Sequence, residues 1–148
     1  MRTPRLNAYQ VDLFKKKTKQ AFSEHPHLKE LHRHLLRIGG IAVVLWNGTN
    51  DEKISQMLIS SGKAEPGEAA VLKLGERSNC HENSAKLHRE NSSRYAVVTG
   101  YALSDDGIWR PHSWVHDGET GEIIETTEKR AIYFGVVKSD GQPPVTAK

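Results

Sequence analysis

The chain has 148 residues, 36% hydrophobic and 26% charged, with a formal net charge of +3. That balance fits one domain spanning 1–148 with a real core and argues against a disordered chain; no apolar run approaches the roughly 20 residues a bilayer span needs. A single cysteine rules out an intramolecular disulfide and fits a reducing, cytoplasmic setting.

The charge is uneven. Residues 1–37 carry nine Lys/Arg against three Asp/Glu, leaving the rest of the chain net acidic. Such a segment can contact an acidic partner or nucleic acid, but a run such as Lys15-Lys16-Lys17-Thr18-Lys19 is more simply the solvated face of a helix. Nucleic acid is therefore not the expected partner. The first residues are polar and hold no apolar signal core, so no secretory leader is expected.

In chain order, residues 1–10 read as a loose lead-in, and 11–22 as a weakly amphipathic helix at best. Pro26 breaks the pattern. Leu28, Leu31, Leu35 and Leu36 then recur at spacings of three and four up to Gly39-Gly40, a second helix over 27–37. Residues 41–46 form an apolar run closed by Asn47-Gly48, a buried strand and turn. Ile54, Met57 and Leu58 mark a short helix within 51–60, and turn residues fill 61–67. The stretch 71–75 is ambiguous and leads straight into the next helix, as one wall of any cleft there.

That helix is expected to begin at Cys80, with Asn79 as N-cap, Glu82 closing a capping box, and helix-forming residues to about Glu90. A thiol on the first turn of a helix faces unpaired N–H groups and the positive end of the helix dipole, which favour the thiolate. The C-terminal half reads as four strands over 95–103, 109–116, 122–127 and 131–138, an antiparallel meander, followed by loose residues 139–148.

If Gly118-Glu119 form a two-residue turn between the second and third of these strands, His112 lies directly opposite Glu125. A register shifted by two makes them diagonal neighbours, still on one face. Asp117, in the turn and on the other face, is expected to be dispensable. With Cys80 nearby, nucleophile, base and orienting carboxylate are all present, the set that covalent acyl transfer requires.

Other chemistries fit less well. His112 and His116 lie too far apart along one strand face to share a zinc ion with Cys80, and adjacent Cys80 and His81 diverge on a helix. No second cysteine supports a deaminase zinc site, and His81-Glu82 lacks the second histidine of a His-Glu-x-x-His motif. No metal or cofactor is expected.

A helix-starting Cys80, a strand with His112-Ser113-Trp114 and a later strand with Glu125-Thr126-Thr127 resemble the transglutaminase-like branch of the papain-like cysteine enzymes. The resemblance covers about 75–137, keeps the family's order and its spacing of 13 from His112 to Glu125, and departs in using Glu where the family uses Asp. It implies an α+β domain of N-terminal helices and a Cys80 helix packed on an antiparallel β-sheet. It implies a cysteine hydrolase or acyltransferase acting on a peptide, protein or small amide or thioester through Cys80, His112 and Glu125. The backbone N–H of Cys80, Asn79, Trp46 and Trp114 are the candidates for oxyanion or substrate contacts. The alternative is a non-catalytic module of the same fold that binds an acidic partner through its basic N-terminal segment.

Overall fold

A computed structural model describes residues 6–45 and 52–138. Trp46 and the tail at 139–148 lie outside the described residues. The lead-in is shorter than expected, because a first helix, α1 (Ala8–Glu24), begins at Ala8. Its start is written in Asn7-Ala8-Tyr9-Gln10. Asn7 Oδ1 accepts from Gln10 N at 2.8 Å, and Gln10 Oε1 accepts from Asn7 N at 2.9 Å, a reciprocal cap that outweighs the weak apolar stripe.

The leucine spacing produces α2 (Leu28–Ile38), whose Leu28, Leu31 and Leu35 are fully buried. The third helix, α3 (Glu52–Ser61), adds Leu58. These side chains pack with Tyr101, Trp109 and Phe134 of the sheet as the main core. The described part of the apolar run, 41–45, contributes a two-residue strand, β1 (Ala42–Val43), whose Val43 and the following Leu45 are buried in that core, while the expected Asn47-Gly48 turn lies outside the described residues.

The sheet contains a strand not foreseen among the turn residues, β2 (Lys63–Pro66), and a two-residue β3 (Val71–Leu72). After the fourth helix, α4 (Cys80–Glu90), come β4 (Tyr95–Leu103), β5 (Ile108–Asp117), β6 (Ile123–Glu125) and β7 (Ile132–Lys138). The chain is therefore mixed α+β, four helices with a mostly antiparallel sheet among the described residues. The last four strands are not a simple meander. β7 crosses back to pair with β4, giving the order β2-β7-β4-β5-β6-β3, with β1 beside β5. Lying next to the central strand lets β7 bury both faces: Phe134 and Val136 join the main core, and Tyr133 joins a second cluster with Val98, Ala102 and Trp114 on the opposite face.

β4 pairs with β5 from Tyr95↔Asp117 to Leu103↔Trp109. The other edge of β5 is covered in two separate places. β1 runs parallel to Ile108 and Trp109, and β6 runs antiparallel to Val115 and His116. Between them, residues 110–114 have no strand partner on that side among the described residues. The N-terminus of α4 comes to this gap, while Leu87 farther along α4 packs on Val115 and Ile124. No described helix is long and apolar enough to cross a membrane.

The hairpin between β5 and β6 corrects the expected turn. Asp117 N donates to Glu122 O at 2.9 Å and Gly121 N to Asp117 O at 2.8 Å, so the turn is four residues long and ends on Gly121 at φ +78°. Val115 consequently pairs with Ile124, two residues away from the two-residue-turn register. His112 and Glu125 are diagonal neighbours rather than direct partners.

Candidate active site

The segment before Cys80 is held from two sides. Lys73 N and Gly75 N each donate at 2.9 Å, to Glu125 O and Thr126 O, so residues 73–75 run along β6. On the helix side, Asn83 clamps Glu76 through both of its amide atoms: Glu76 N donates to Oδ1 at 3.0 Å, and Nδ2 donates to Glu76 O at 2.8 Å. A Cβ on Gly75 would come within 2.5 Å of the Asn83 side chain, so only glycine allows this approach. Ser78 then turns at φ +58°, a left-handed conformation uncommon outside glycine, and α4 starts two residues later at Cys80.

The expected capping box does not form. Asn79 is the N-cap, but at φ −127° and ψ 46° it lies outside the extended region that aims a capping side chain, and it makes no side-chain cap bond. Glu82 turns to Arg89 instead, at 2.8 Å. Asn79 remains exposed, one residue before the thiol.

Cys80, half-buried, reaches the uncovered edge of β5. There the His112 imidazole and the backbone N–H of Ser113 are close enough to lower the pKa of its thiol. His112 points its Nε2 at Glu125, 2.8 Å from Oε1 and 3.1 Å from Oε2, which leaves Nδ1 for Cys80. Glu125 is 0% exposed, and both of its oxygens are saturated. Tyr133 Oη donates to Oε1 at 2.8 Å; Thr127 donates to Oε2 through its N–H at 3.0 Å and its hydroxyl at 2.9 Å. A buried carboxylate with this many donors is held ionised.

The protonation states follow from these contacts. Burial pushes the Cys80 thiol up, but the hydrogen bond and charge of His112, with the Ser113 N–H, outweigh it and leave the thiol below its ordinary value. Burial pushes His112 down, yet its bonds to Cys80 and Glu125 hold it above the usual imidazole range. Burial raises the Glu125 carboxyl, but His112, the Thr127 N–H and the Tyr133 hydroxyl bring it below the usual carboxylate value. All three directions favour a thiolate–imidazolium pair backed by a carboxylate.

Trp114 is placed differently from the expectation of a substrate contact. It is 2% exposed, with its ring edge-on to Tyr133 at 4.9 Å and nearly parallel to His112 at 5.9 Å. The indole lies over Gly135, where a Cβ would come within 2.8 Å of it. It backs the imidazole and has no face left for a ligand. Asp117 is not idle either: its buried carboxylate takes two bonds from Arg94, at 3.0 and 2.9 Å, and one from Glu119 N at 2.9 Å, closing the hairpin away from the triad.

The supporting roles of several residues were not read from the sequence, where Thr127 entered only as part of the Glu125-Thr126-Thr127 pattern. Thr127 had a usable signal, since a threonine two residues after a carboxylate can return its N–H and hydroxyl locally. Tyr133 and Asn83 had none, because their partners come through the fold. Beneath the thiol, His81 Nδ1 lies 2.5 Å from Ser113 Oγ, which donates onward to Thr99 Oγ1 at 3.4 Å and ties α4 to β4 and β5. Among the described residues no three His, Cys, Asp or Glu side chains converge as a metal site would. No protein-family model, curated protein or solved structure matches this chain.

Proposed function

We propose that the chain is a cysteine-dependent hydrolase or acyltransferase with a transglutaminase-like, papain-related fold, working on an amide, peptide or thioester carbonyl. The observation that carries this is the imidazole of His112, hydrogen-bonded to the fully buried Glu125 on one side and close enough on the other to lower the pKa of the Cys80 thiol. In this reading the Cys80 thiolate attacks the carbonyl carbon, and the resulting oxyanion takes the backbone N–H of Cys80, which opens α4 and has no earlier helical partner. Protonated His112 gives its proton to the leaving nitrogen or sulfur as the carbonyl re-forms, leaving a thioester on Cys80. Neutral His112 then takes a proton from water or an acceptor amine, which attacks the thioester and releases Cys80. Glu125 stays ionised throughout, holding the ring and balancing its charge.

Alkylation of Cys80 by iodoacetamide at pH 6 tests this. The wild-type thiol is expected to react rapidly and the His112→Ala variant slowly. Reaction only in denaturant would make Cys80 a packing residue and end the reading. A thiolate enzyme of this kind suits a reducing, cytoplasmic environment.

A second reading, a binding module for an acidic partner, has one observation behind it. A groove of about 780 Å³ lies between α1 and the α2–β1 region, mostly apolar with Lys15 and Lys19 among its lining residues, and contains none of the triad. Binding that survives Cys80→Ser and is lost on Lys15→Glu with Lys19→Glu would favour it.

A further inference from the structure

A cavity of about 540 Å³ adjoins the triad. Arg77 and Ser78, from the turn before Cys80, form one side; Thr126, Thr127 and Arg130, from the segment after Glu125, form the other. None of the triad lines it, but two of its lining residues neighbour the triad. Ser78 is two residues from the nucleophile, and Thr127 is the residue that donates twice to Glu125.

The cavity carries positive charge that the acyl-transfer steps do not use. The Arg130 side chain is only 15% exposed, and its guanidinium donates to the main-chain oxygen of Glu128. Its nearest carboxylate is that of Glu128, 4.0 Å away on a side chain 85% exposed, a weak and solvated counter-charge. Arg130 is close enough for its charge to oppose protonation of His112. Arg77 is exposed at the rim, with no ion-pair partner among the described residues. The Thr126 hydroxyl, in the wall, is buried and has no hydrogen-bond partner among the described residues. Two guanidinium groups against one solvated carboxylate suit an anion held within reach of the His112 side of the triad.

We propose that this cavity binds an anionic group of the substrate, a carboxylate or a phosphate, so that Cys80 acts on amides or thioesters of acidic molecules. The proposal rests on the catalytic reading of Cys80.

Two alkylating agents of nearly equal size, iodoacetate and iodoacetamide, separate the two ideas. Each transfers its carboxymethyl or carbamoylmethyl carbon to the Cys80 thiolate with loss of iodide. The ratio of the iodoacetate rate to the iodoacetamide rate, measured at pH 6, is expected to exceed that of glutathione by about tenfold or more. It should fall in Arg77→Gln, in Arg130→Gln and at 1 M salt, where screening shortens to about 3 Å. Arg77 is exposed, so its replacement keeps the test open even if Arg130→Gln folds poorly. Added acetate and phosphate distinguish the anions by which one slows iodoacetate, and not iodoacetamide, at lower concentration. A ratio that stays high in both arginine variants belongs to the His112 imidazolium and overturns the proposal. So does fast reaction with both reagents at the glutathione ratio, which leaves the triad standing. Slow reaction with both removes the catalytic reading, and the anion site with it.

Discussion

The phenol of Tyr133 donates to Oε1 of Glu125 at 2.8 Å, the same oxygen that holds Nε2 of His112. The two donors reach one buried atom from two different strands, β7 and β5. The Tyr133 hydroxyl in turn accepts from Arg130 N at 3.1 Å, so the bond also anchors the turn into β7. Burial and the Glu125 charge raise the phenol far above its usual range, and it stays a donor at every pH of interest.

Tyr133→Phe removes that donor from a carboxylate with no access to water. Stability is expected to fall by about 1–3 kcal/mol in urea unfolding. Alkylation of Cys80 at pH 6 should fall less than in His112→Ala, because Oε2 and its Thr127 bonds still orient the carboxylate. Unchanged stability would show that Glu125 is adequately held without the phenol.

The pH profile of Cys80 alkylation should show its inflection below the ordinary thiol value of about 8.5. His112→Ala removes the largest lowering influence and leaves the burial that pushes the thiol up. The inflection should therefore move past 8.5 rather than stop there. Iodoacetamide rates from pH 5 to 10 check this; a variant inflection still well below 8.5 would assign the low value to the helix terminus and the Ser113 N–H instead.

Glu125→Gln keeps the shape and removes the charge. The folded Glu125 carboxyl is depressed, so its contribution to stability is present above about pH 4.3 and is lost as pH falls through its folded value. His112 is raised, so its contribution is present below about pH 6.5 and is lost as pH rises through its folded value. The gap in Tm between wild type and Glu125→Gln should be widest between about pH 4.3 and 6.5 and narrow on both sides. Alkylation at pH 6 should drop in Glu125→Gln, though less than in His112→Ala, and Glu125→Asp should retain part of it if the strands can close by a methylene. A gap independent of pH would argue for a packing role alone.

Gly75→Ala places a methyl against Asn83, where the clamp on Glu76 leaves no slack. Either the clamp opens or residues 73–79 move, and in both cases Cys80 loses its approach to β5. Alkylation at pH 6 should fall by at least about tenfold, since small misplacements of reacting groups are costly. Circular dichroism should still show the folded sheet. Full reactivity would mean that α4 places Cys80 without help from the loop.

Face parity was legible in the sequence because strand side chains alternate with period two. A register error of two residues, such as the one caused by the four-residue turn at 118–121, leaves His112 and Glu125 on one face and in contact. The start of α4 at Cys80 was equally local, a break and an N-cap residue followed by helix formers, although the Asn79–Glu82 box expected there did not close. The leucine stripe of α2 needed nothing beyond its own spacing.

The fold decided the rest, through contacts that no local pattern encodes. β7 lies beside β4 and not β6, because the central position buries both of its faces, and only that choice brings Tyr133 to Glu125. The gap between β1 and β6 along β5 exists because two short strands cover one long edge, and it is what admits Cys80 to Ser113 and His112. Trp114 read as a substrate contact because it stands two residues from His112, yet Gly135 across the sheet lets it into the core. The sequence alone determined which groups were candidates for chemistry and that His112 and Glu125 share a face, since both depend on identity and period. Their distances, their burial and the supporting shell depend on pairing between distant strands, which only the tertiary structure decides.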